Sequence, residues 1–318
     1  MATLKKGEKI QILQTIILST VLFLGVYFFH LDINVLEITA TFFTVILLDY
    51  IFSNTWKLEK VFPFSWVNAG FGICFFLRSN DLILYILAWF IAILGKHLIR
   101  IHGRHFLNPS NMAVVFILTL FPFYAWVNTL QWGNYSTGNL SSAYIYMFSL
   151  LLILGSIITY FVYNTFHFRY FLDYTFPFLI THFLLFFIIP FSETLSSATK
   201  FFNISFFIFT FFMMSDPKTV PEKSSSRVLY AILLVLNFYS LQFYINEMYA
   251  ILYALFLNTL FLPFIWYLEK YTYKKIPYSV FFLLFLNIVS SIVILLSMYK
   301  YWQPDLVFDN ICVELFCK

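Results

Sequence analysis

Residues 248–267, MYAILYALFLNTLFLPFIWY, carry no charged side chain over twenty consecutive positions. An α-helix rises about 1.5 Å per residue, so a helix of this length matches the roughly 30 Å hydrocarbon core of a bilayer. Leucine and phenylalanine dominate the stretch, and its single proline is tolerated in membrane helices. The stretch therefore predicts a transmembrane helix, and the rest of the chain repeats its pattern.

Similar apolar runs recur from one end of the sequence to the other. Of the 318 residues, 61% are hydrophobic and 11% charged, whereas soluble domains carry about 25% charged residues. Ten further runs are long enough to predict membrane segments, near residues 10–30, 36–53, 61–77, 82–99, 111–129, 143–164, 171–192, 200–214, 228–245 and 277–299. The predicted fold is an all-α polytopic membrane protein of about 10–11 transmembrane helices. Residues 1–318 then form a single transmembrane domain.

The positions of the basic residues predict the orientation of these segments. With a cytoplasmic N-terminus and eleven crossings, 15 of the 19 basic residues fall inside, and four fall outside: Arg78, Lys200, Lys300 and Lys318. Cytoplasmic loops of membrane proteins carry an excess of Lys and Arg. We therefore expect a cytoplasmic N-terminus and an extracytoplasmic tail, residues 300–318.

The third and eighth segments are weaker than their neighbours. Residues 61–77 contain a proline, an asparagine and two glycines, and residues 200–214 are only 15 residues long. Short or broken segments in corresponding halves are typical of an inverted repeat around a central site. Repeats would cover residues 10–129 and 143–267, leaving 277–299 as an extra helix. Ordinary helix packing explains the same residues.

A basic loop follows the fourth segment. Residues 96–111, KHLIRIHGRHFLNPSN, contain Lys96, Arg100 and Arg104 together with three of the six histidines. Cations beside a helix N-terminus suit a phosphate group, and Asn108-Pro109 is a typical helix start. A positive-inside membrane anchor explains the same charges. No Cys, Asp or Glu lies near these histidines in sequence, so they are weak candidates for a metal site.

An acidic turn follows the eighth segment. Residues 211–221, FFMMSDPKTVP, place Asp216 and Pro217 at its expected cytoplasmic end. An acidic residue before proline indicates a fixed turn or cap, which Thr219 would complete. A ligand or proton site at a broken helix is the alternative interpretation.

These two loops carry a family resemblance. Residues 95–111 resemble the K-x-x-x-R-x-x-G-x-H-x-F-N-P signature of the NqrB/RnfD family, and residues 211–221 resemble its F-F-M-x-T-D-P-x-T-x-P element. Residues 63–78 and 125–133 look more like its shorter relatives, the RnfD-like membrane proteins of the UnbU type. The resemblance spans about residues 60–235.

The resemblance implies a function. NqrB and RnfD are membrane subunits of bacterial, ion-translocating, flavin-dependent electron-transport complexes with an inverted-repeat fold. It implies an electron-transferring subunit in the inner membrane with partner proteins on both faces, and any substrate oxidation on a partner. The expected anion site, for a flavin phosphate or a partner's acidic face, and the turns beside it use Lys96, Arg100, Arg104, His105, Asn108, Pro109, Asp216, Pro217 and Thr219.

Covalent FMN would be attached at Thr199. The family esterifies FMN to the threonine of an Asp-Gly-x-Ser-Gly-Ala-Thr stretch, and residues 193–199 are ETLSSAT. Both glycines are missing, so a plain Ser/Thr-rich turn is the favoured interpretation of this stretch. Flavin bound without a covalent link remains compatible with the resemblance.

The C-terminal tail contains two of the three cysteines, Cys312 and Cys317. Because the tail is expected outside the cytoplasm, where disulfides persist, we predict that they pair with each other.

Two other classes of function remain open from the sequence. A permease or channel could use the same inverted-repeat architecture, with the third and eighth segments lining its path. A membrane scaffold for a biosynthetic or secretion complex is a further alternative. The chain has no Gly-rich dinucleotide-binding loop and no nucleophile–base arrangement, so a self-contained enzyme is disfavoured.

Overall fold

A computed structural model describes residues 6–28, 31–55, 63–101, 104–127, 171–188, 204–214, 216 and 219–271. These residues are mostly helical. The helices are α1 (Lys6–Phe28), α2 (Val35–Thr55), α3 (Pro63–Phe76), α4 (Leu82–His97), α5 (Pro109–Leu120), α6 (Phe176–Ile188), α7 (Ile204–Ile208), α8 (Ser224–Gln242) and α9 (Glu247–Tyr271). Two π-helical segments, Phe171–Thr175 and Phe209–Met213, precede α6 and follow α7.

Four helical stretches are long and apolar enough to cross a membrane: Glu8–Tyr27, Val35–Phe52, Ser224–Gln242 and Met248–Glu269. Apolar side chains on α2, among them Phe43, Ile46 and Tyr50, are exposed. Such a surface is unfavourable in water and suits lipid. Four shorter apolar helices accompany these among the described residues. The predicted segments 143–164 and 277–299 lie outside the described residues.

The fifth predicted span, 111–129, is not one continuous helix. Helix α5 has 12 residues and ends at Leu120, and a turn then leads into strand β4 (Ala125–Val127). Pro122 explains the end, because proline disfavours helical backbone at the residue before it. The prediction of a full-length helix here was wrong, although the proline was visible in the sequence.

Strand β4 pairs with strand β1 (Leu77–Ser79), which follows α3 directly. The pairing is antiparallel, with Arg78 opposite Trp126. Helix α3 has 14 residues, about 21 Å of helix, so it is shorter than a bilayer core. The short ribbon thus joins the ends of two short helices, a strand element that the all-α prediction did not include.

Close contacts hold the short helices together. A Cβ atom on Gly72 of α3 would lie 2.6 Å from Ser110 Oγ and 3.4 Å from Met213 Cε. On α4, a Cβ atom on Gly95 would collide with the terminal methyl group of Met112 in α5. Small residues at such positions let helix backbones approach closely. Glycine is therefore required at Gly72 by space rather than by backbone conformation.

Polar side chains connect α5 with α9 and α8 with α9. Asn111 Nδ2 in α5 donates to the Leu252 carbonyl of α9 over 3.1 Å, and the hydroxyls of Thr119 and Tyr253 are 2.8 Å apart. Between α8 and α9, Asn237 Nδ2 donates to Asn258 Oδ1 over 2.7 Å. Interhelical hydrogen bonds of this kind fix the register of packed helices in an apolar setting.

Candidate functional site

The basic loop, residues 96–111, folds back on itself at the end of α4. Strands β2 (Arg100–Ile101) and β3 (Arg104–His105) form a short antiparallel hairpin with Arg100 opposite His105. Helix α5 then begins at Pro109, as predicted. Asn108 is its N-cap, because Asn108 Oδ1 accepts a hydrogen bond from Asn111 N over 3.1 Å.

The acidic turn, residues 211–221, lies directly against the basic loop. Asn108 Nδ2 donates to the Met213 carbonyl over 2.8 Å, and His105 Nε2 lies 3.4 Å from Asp216 Oδ2. Thr219 closes the turn, since its backbone N and its Oγ1 both donate to the Asp216 carbonyl over 3.1 Å. Two sequence elements more than a hundred residues apart therefore form one site.

The cations of the basic loop contact aromatic and acidic groups. The Lys96 side chain is only 3% exposed, and its Nζ lies 3.8 Å from the centroid of the Trp66 ring. Arg104 forms an ion pair with Glu222, and its guanidinium carbon lies 4.7 Å from the centroid of the Trp266 ring. Both arrangements are cation–π contacts, in which the face of the aromatic ring attracts the cation. An anion that binds Arg104 must compete with Glu222.

The end of α9 anchors the chain that follows the acidic turn. Glu269 accepts hydrogen bonds from the backbone N atoms of Glu222 and Lys223 over 3.0 and 2.9 Å. Lys223 is the N-cap of α8 and provides no side-chain cap of its own. A carboxylate at a helix N-terminus is stabilised by the free N–H groups there. Glu269 therefore caps α8 from a neighbouring helix.

A buried ion pair joins α8 to the first π-helical segment. Arg227 Nη2 donates to Asp173 Oδ2 over 2.8 Å, and both side chains are buried. Arg227 Nη1 also donates to the Glu222 carbonyl over 2.5 Å. Because π-helical turns are frequent at functional sites, Asp173 joins the candidate residues.

His182, in the second turn of α6, is surrounded by aromatic rings. The nearest is Phe206, 4.5 Å away between ring centroids and stacked on the imidazole, and Phe238 and Tyr239 follow at 5.6 and 5.5 Å. This arrangement is that of a packing histidine within an aromatic core.

At the opposite end of α4 lies a second polar cluster around Arg78 in β1. The Arg78 side chain is 2% exposed, and its Nη1 donates to the carbonyls of Cys74 and Leu77 over 2.7 and 2.5 Å. Nearby, Asp81 caps α4 through a 2.9 Å hydrogen bond from Ile83 N. From the sequence, Arg78 was predicted to lie on the extracytoplasmic side, but its contacts were not predicted.

The structure brings together most of the site residues predicted from sequence. The basic loop, residues 96–111, and the acidic turn, residues 211–221, together form the paired loops. They contain the predicted site residues Lys96, Arg100, Arg104, His105, Asn108, Pro109, Asp216 and Thr219. Their partners Trp66, Glu222, Trp266 and Glu269 were missed, because they are distant in sequence and carry no local signal. The predictions for Pro217, Thr199, Cys312 and Cys317 concern positions outside the described residues. Within the described ranges, no group of three His, Cys, Asp or Glu side chains could hold a metal ion.

Neither a protein-family model nor a curated protein matches this sequence.

Proposed function

We propose that the chain is an RnfD/NqrB-like integral membrane subunit of a flavin-dependent electron-transport complex in the bacterial inner membrane. The observation that carries the proposal is the contact between the basic loop and the acidic turn. These are the two elements on which the resemblance depends, and they are joined by the Asn108–Met213 hydrogen bond and the His105–Asp216 pair. A chance likeness of two short motifs would not require them to meet.

The short segments support an inverted repeat within this proposal. Helix α3 of the first half and the π-helical end of the eighth segment meet where Gly72 faces Ser110 and Met213. Discontinuous helices that converge near a site are typical of repeats with opposite orientation. In the proposed topology the N-terminus and both paired loops are cytoplasmic, and the Arg78 end of α3 and α4 faces outward. Partner subunits would contact both faces, and electron transfer through the complex would be coupled to ion translocation.

A flavin phosphate fits the paired loops at one place. Arg104 is 36% exposed on its side chain and lies between Glu222 and the Trp266 ring, so its guanidinium is accessible from outside. Arginine binds phosphate through planar, bidentate hydrogen bonds. Arg104 would hold the phosphate, and Arg100 and Lys96 would add positive charge to the same loop. When bound, the flavin supplies the one-electron and two-electron chemistry, and these residues orient it.

The deciding experiment is an absorbance spectrum of the protein purified from its own membrane with its partner subunits. We expect the spectrum of oxidised flavin, and Arg104→Gln should reduce the flavin content. Fluorescence after denaturing electrophoresis that disappears in Thr199→Val would establish covalent FMN. Flavin released on denaturation would establish bound but unattached cofactor. A colourless preparation with no extractable flavin would refute the proposal.

A permease is the second candidate, and one observation favours it. Helices α3 and α5 are both too short to cross a bilayer core, and they continue into the β1–β4 ribbon instead of further helix. Irregular backbone at such depth is characteristic of transporters, where it lines a path. Ion flux through proteoliposomes that contain the purified chain alone would support this function over electron transfer.

A further inference from the structure

The strongest unexplained feature outside the paired loops is the guanidinium of Arg78. It lies at the junction of α3 with the β1–β4 ribbon, almost completely buried. One of its nitrogens, Nη1, donates to the Cys74 and Leu77 carbonyls. Basic side chains often satisfy the last carbonyls of a helix in this way, so Nη1 explains how the end of α3 is stabilised. It does not explain the other two nitrogens.

Nε and Nη2 of Arg78 are buried and have no hydrogen-bond partner in the described part of the chain. These two nitrogens lie on the same edge of the guanidinium plane. Their two N–H groups are parallel and match the two oxygen atoms of a carboxylate or phosphate group. The edge that is left over is therefore the one that arginine uses for bidentate binding of oxyanions.

The nearby acidic residues do not fill this edge. Asp32 and Glu37 are close enough to interact electrostatically with Arg78, but neither accepts a hydrogen bond from its Nε or Nη2. Glu37 is engaged in a capping box at the start of α2, where its carboxylate accepts from Asn34 N over 3.0 Å and Asn34 Oδ1 accepts from Glu37 N over 2.8 Å. A buried guanidinium without a close counter-ion is strongly unfavourable, so an anion bound here would relieve a large desolvation cost.

Arg78 itself is buried, and the turn that adjoins it lies at the surface at one end of the helix bundle. The adjoining turn is exposed at Asn80 and Asp81, and the rings of Phe123 and Tyr124 beside the ribbon are also exposed. Ser79 Oγ donates to the Tyr124 carbonyl over 2.8 Å, which holds this turn against the ribbon. Exposed aromatic rings beside a polar turn are typical of the membrane–water interface, where carboxylates from solution and lipid phosphates are both present.

We propose that Arg78 is an oxyanion-binding site, at which Nε and Nη2 bind the two oxygens of one carboxylate or phosphate group. The site lies at the other end of α4 from the paired loops, about 24 Å away along the 16-residue helix. It does not depend on flavin binding, so the spectrum described above and the present proposal can fail separately.

The test uses purified full-length protein in a nonionic detergent and follows its thermal unfolding at constant ionic strength. The probes are acetate, succinate, inorganic phosphate and a short-chain anionic phospholipid, each compared with chloride. Arg78→Lys retains the charge and loses the planar fork. Lys9→Gln is the control, because it removes an exposed positive charge of α1 outside both candidate anion sites. We expect at least one probe to stabilise the wild type and the control alike, and Arg78→Lys to bind it about tenfold more weakly.

The pattern of stabilisation identifies the source of the anion. Stabilisation by a small carboxylate or phosphate indicates a solute, whereas stabilisation by the phospholipid alone, with lipid retained in native mass spectra, indicates a membrane headgroup. The proposal is overturned if no probe stabilises the wild type and no anion is retained, or if Arg78→Lys responds as the wild type does. If Arg78→Lys does not fold, Arg104→Gln decides, because it lacks the other candidate anion site and stabilisation by the same probe must persist in it.

Discussion

Replacement of Asn108 by alanine should destabilise the protein by about 2–4 kcal/mol. The loss of the N-cap contact to Asn111 N costs about 1 kcal/mol. The loss of the hydrogen bond from Nδ2 removes a donor from the buried Met213 carbonyl, which costs about 1–3 kcal/mol more. Asn108→Ser should recover the cap but not reach Met213, so its cost should lie between those of the wild type and the alanine variant.

The assay is unfolding of purified protein in mixed detergent micelles, monitored by circular dichroism. Asn34→Ala provides a matched control, because Asn34 Oδ1 also accepts a hydrogen bond at the start of a helix but makes no contact comparable to Met213. We expect it to cost about 1 kcal/mol. Equal costs for Asn108→Ala and Asn34→Ala would show that the Asn108–Met213 hydrogen bond does not hold the two loops together.

Three further variants test other parts of the structure. Arg227→Gln leaves Asp173 buried without its partner and should cost about 3–5 kcal/mol in the same unfolding assay. Replacement of both residues by apolar ones should cost less. Equal costs would argue against the buried pair. Glu222→Gln removes the exposed partner of the arginine in β3 and should change stability by less than about 1 kcal/mol, with the difference vanishing at high salt. Gly72→Ala should cost about 1–3 kcal/mol, because its Cβ would meet the Ser110 side chain at the start of α5. Gly95→Ala should cost less, because its Cβ would meet only the flexible end of Met112. The reverse order of costs would contradict this packing.

The apolar runs predicted where the described helices lie, because a long uncharged apolar run is the sequence signal of a membrane helix. The start of α5 was also predictable. Asn108 accepts a hydrogen bond from a free backbone N–H at the helix start, and Pro109 in the first turn has no N–H group that needs an acceptor. Its early end at Leu120 was predictable from Pro122 but was obscured by the apolar residues that continue beyond it. Hydropathy measures transfer to lipid and does not distinguish a helix from a short buried strand.

The paired loops show where sequence information ends. The basic residues and Asp216 predicted two loops on the same side of a membrane, but not that His105 would lie 3.4 Å from that carboxylate. The contacts of Trp66 with Lys96 and of Glu269 with Lys223 were not predicted, because these residues are distant in sequence and meet only in the folded chain. Charge patterns report orientation, whereas contacts between distant residues depend on the packing of intervening helices.

The cap that Glu269 places on α8 has a consequence for the assembly of the chain. Helices α8 and α9 are joined by a short turn at one end. At the other end the Glu269 carboxylate connects the last turn of α9 to the two residues that precede α8. The hairpin is thereby closed at both ends by contacts within residues 219–271. Helix α8 is the least apolar of the four long helices, and its buried Asn237 finds its partner on α9. The two helices are therefore expected to enter the bilayer as a pair, the more apolar one carrying the less apolar one with it.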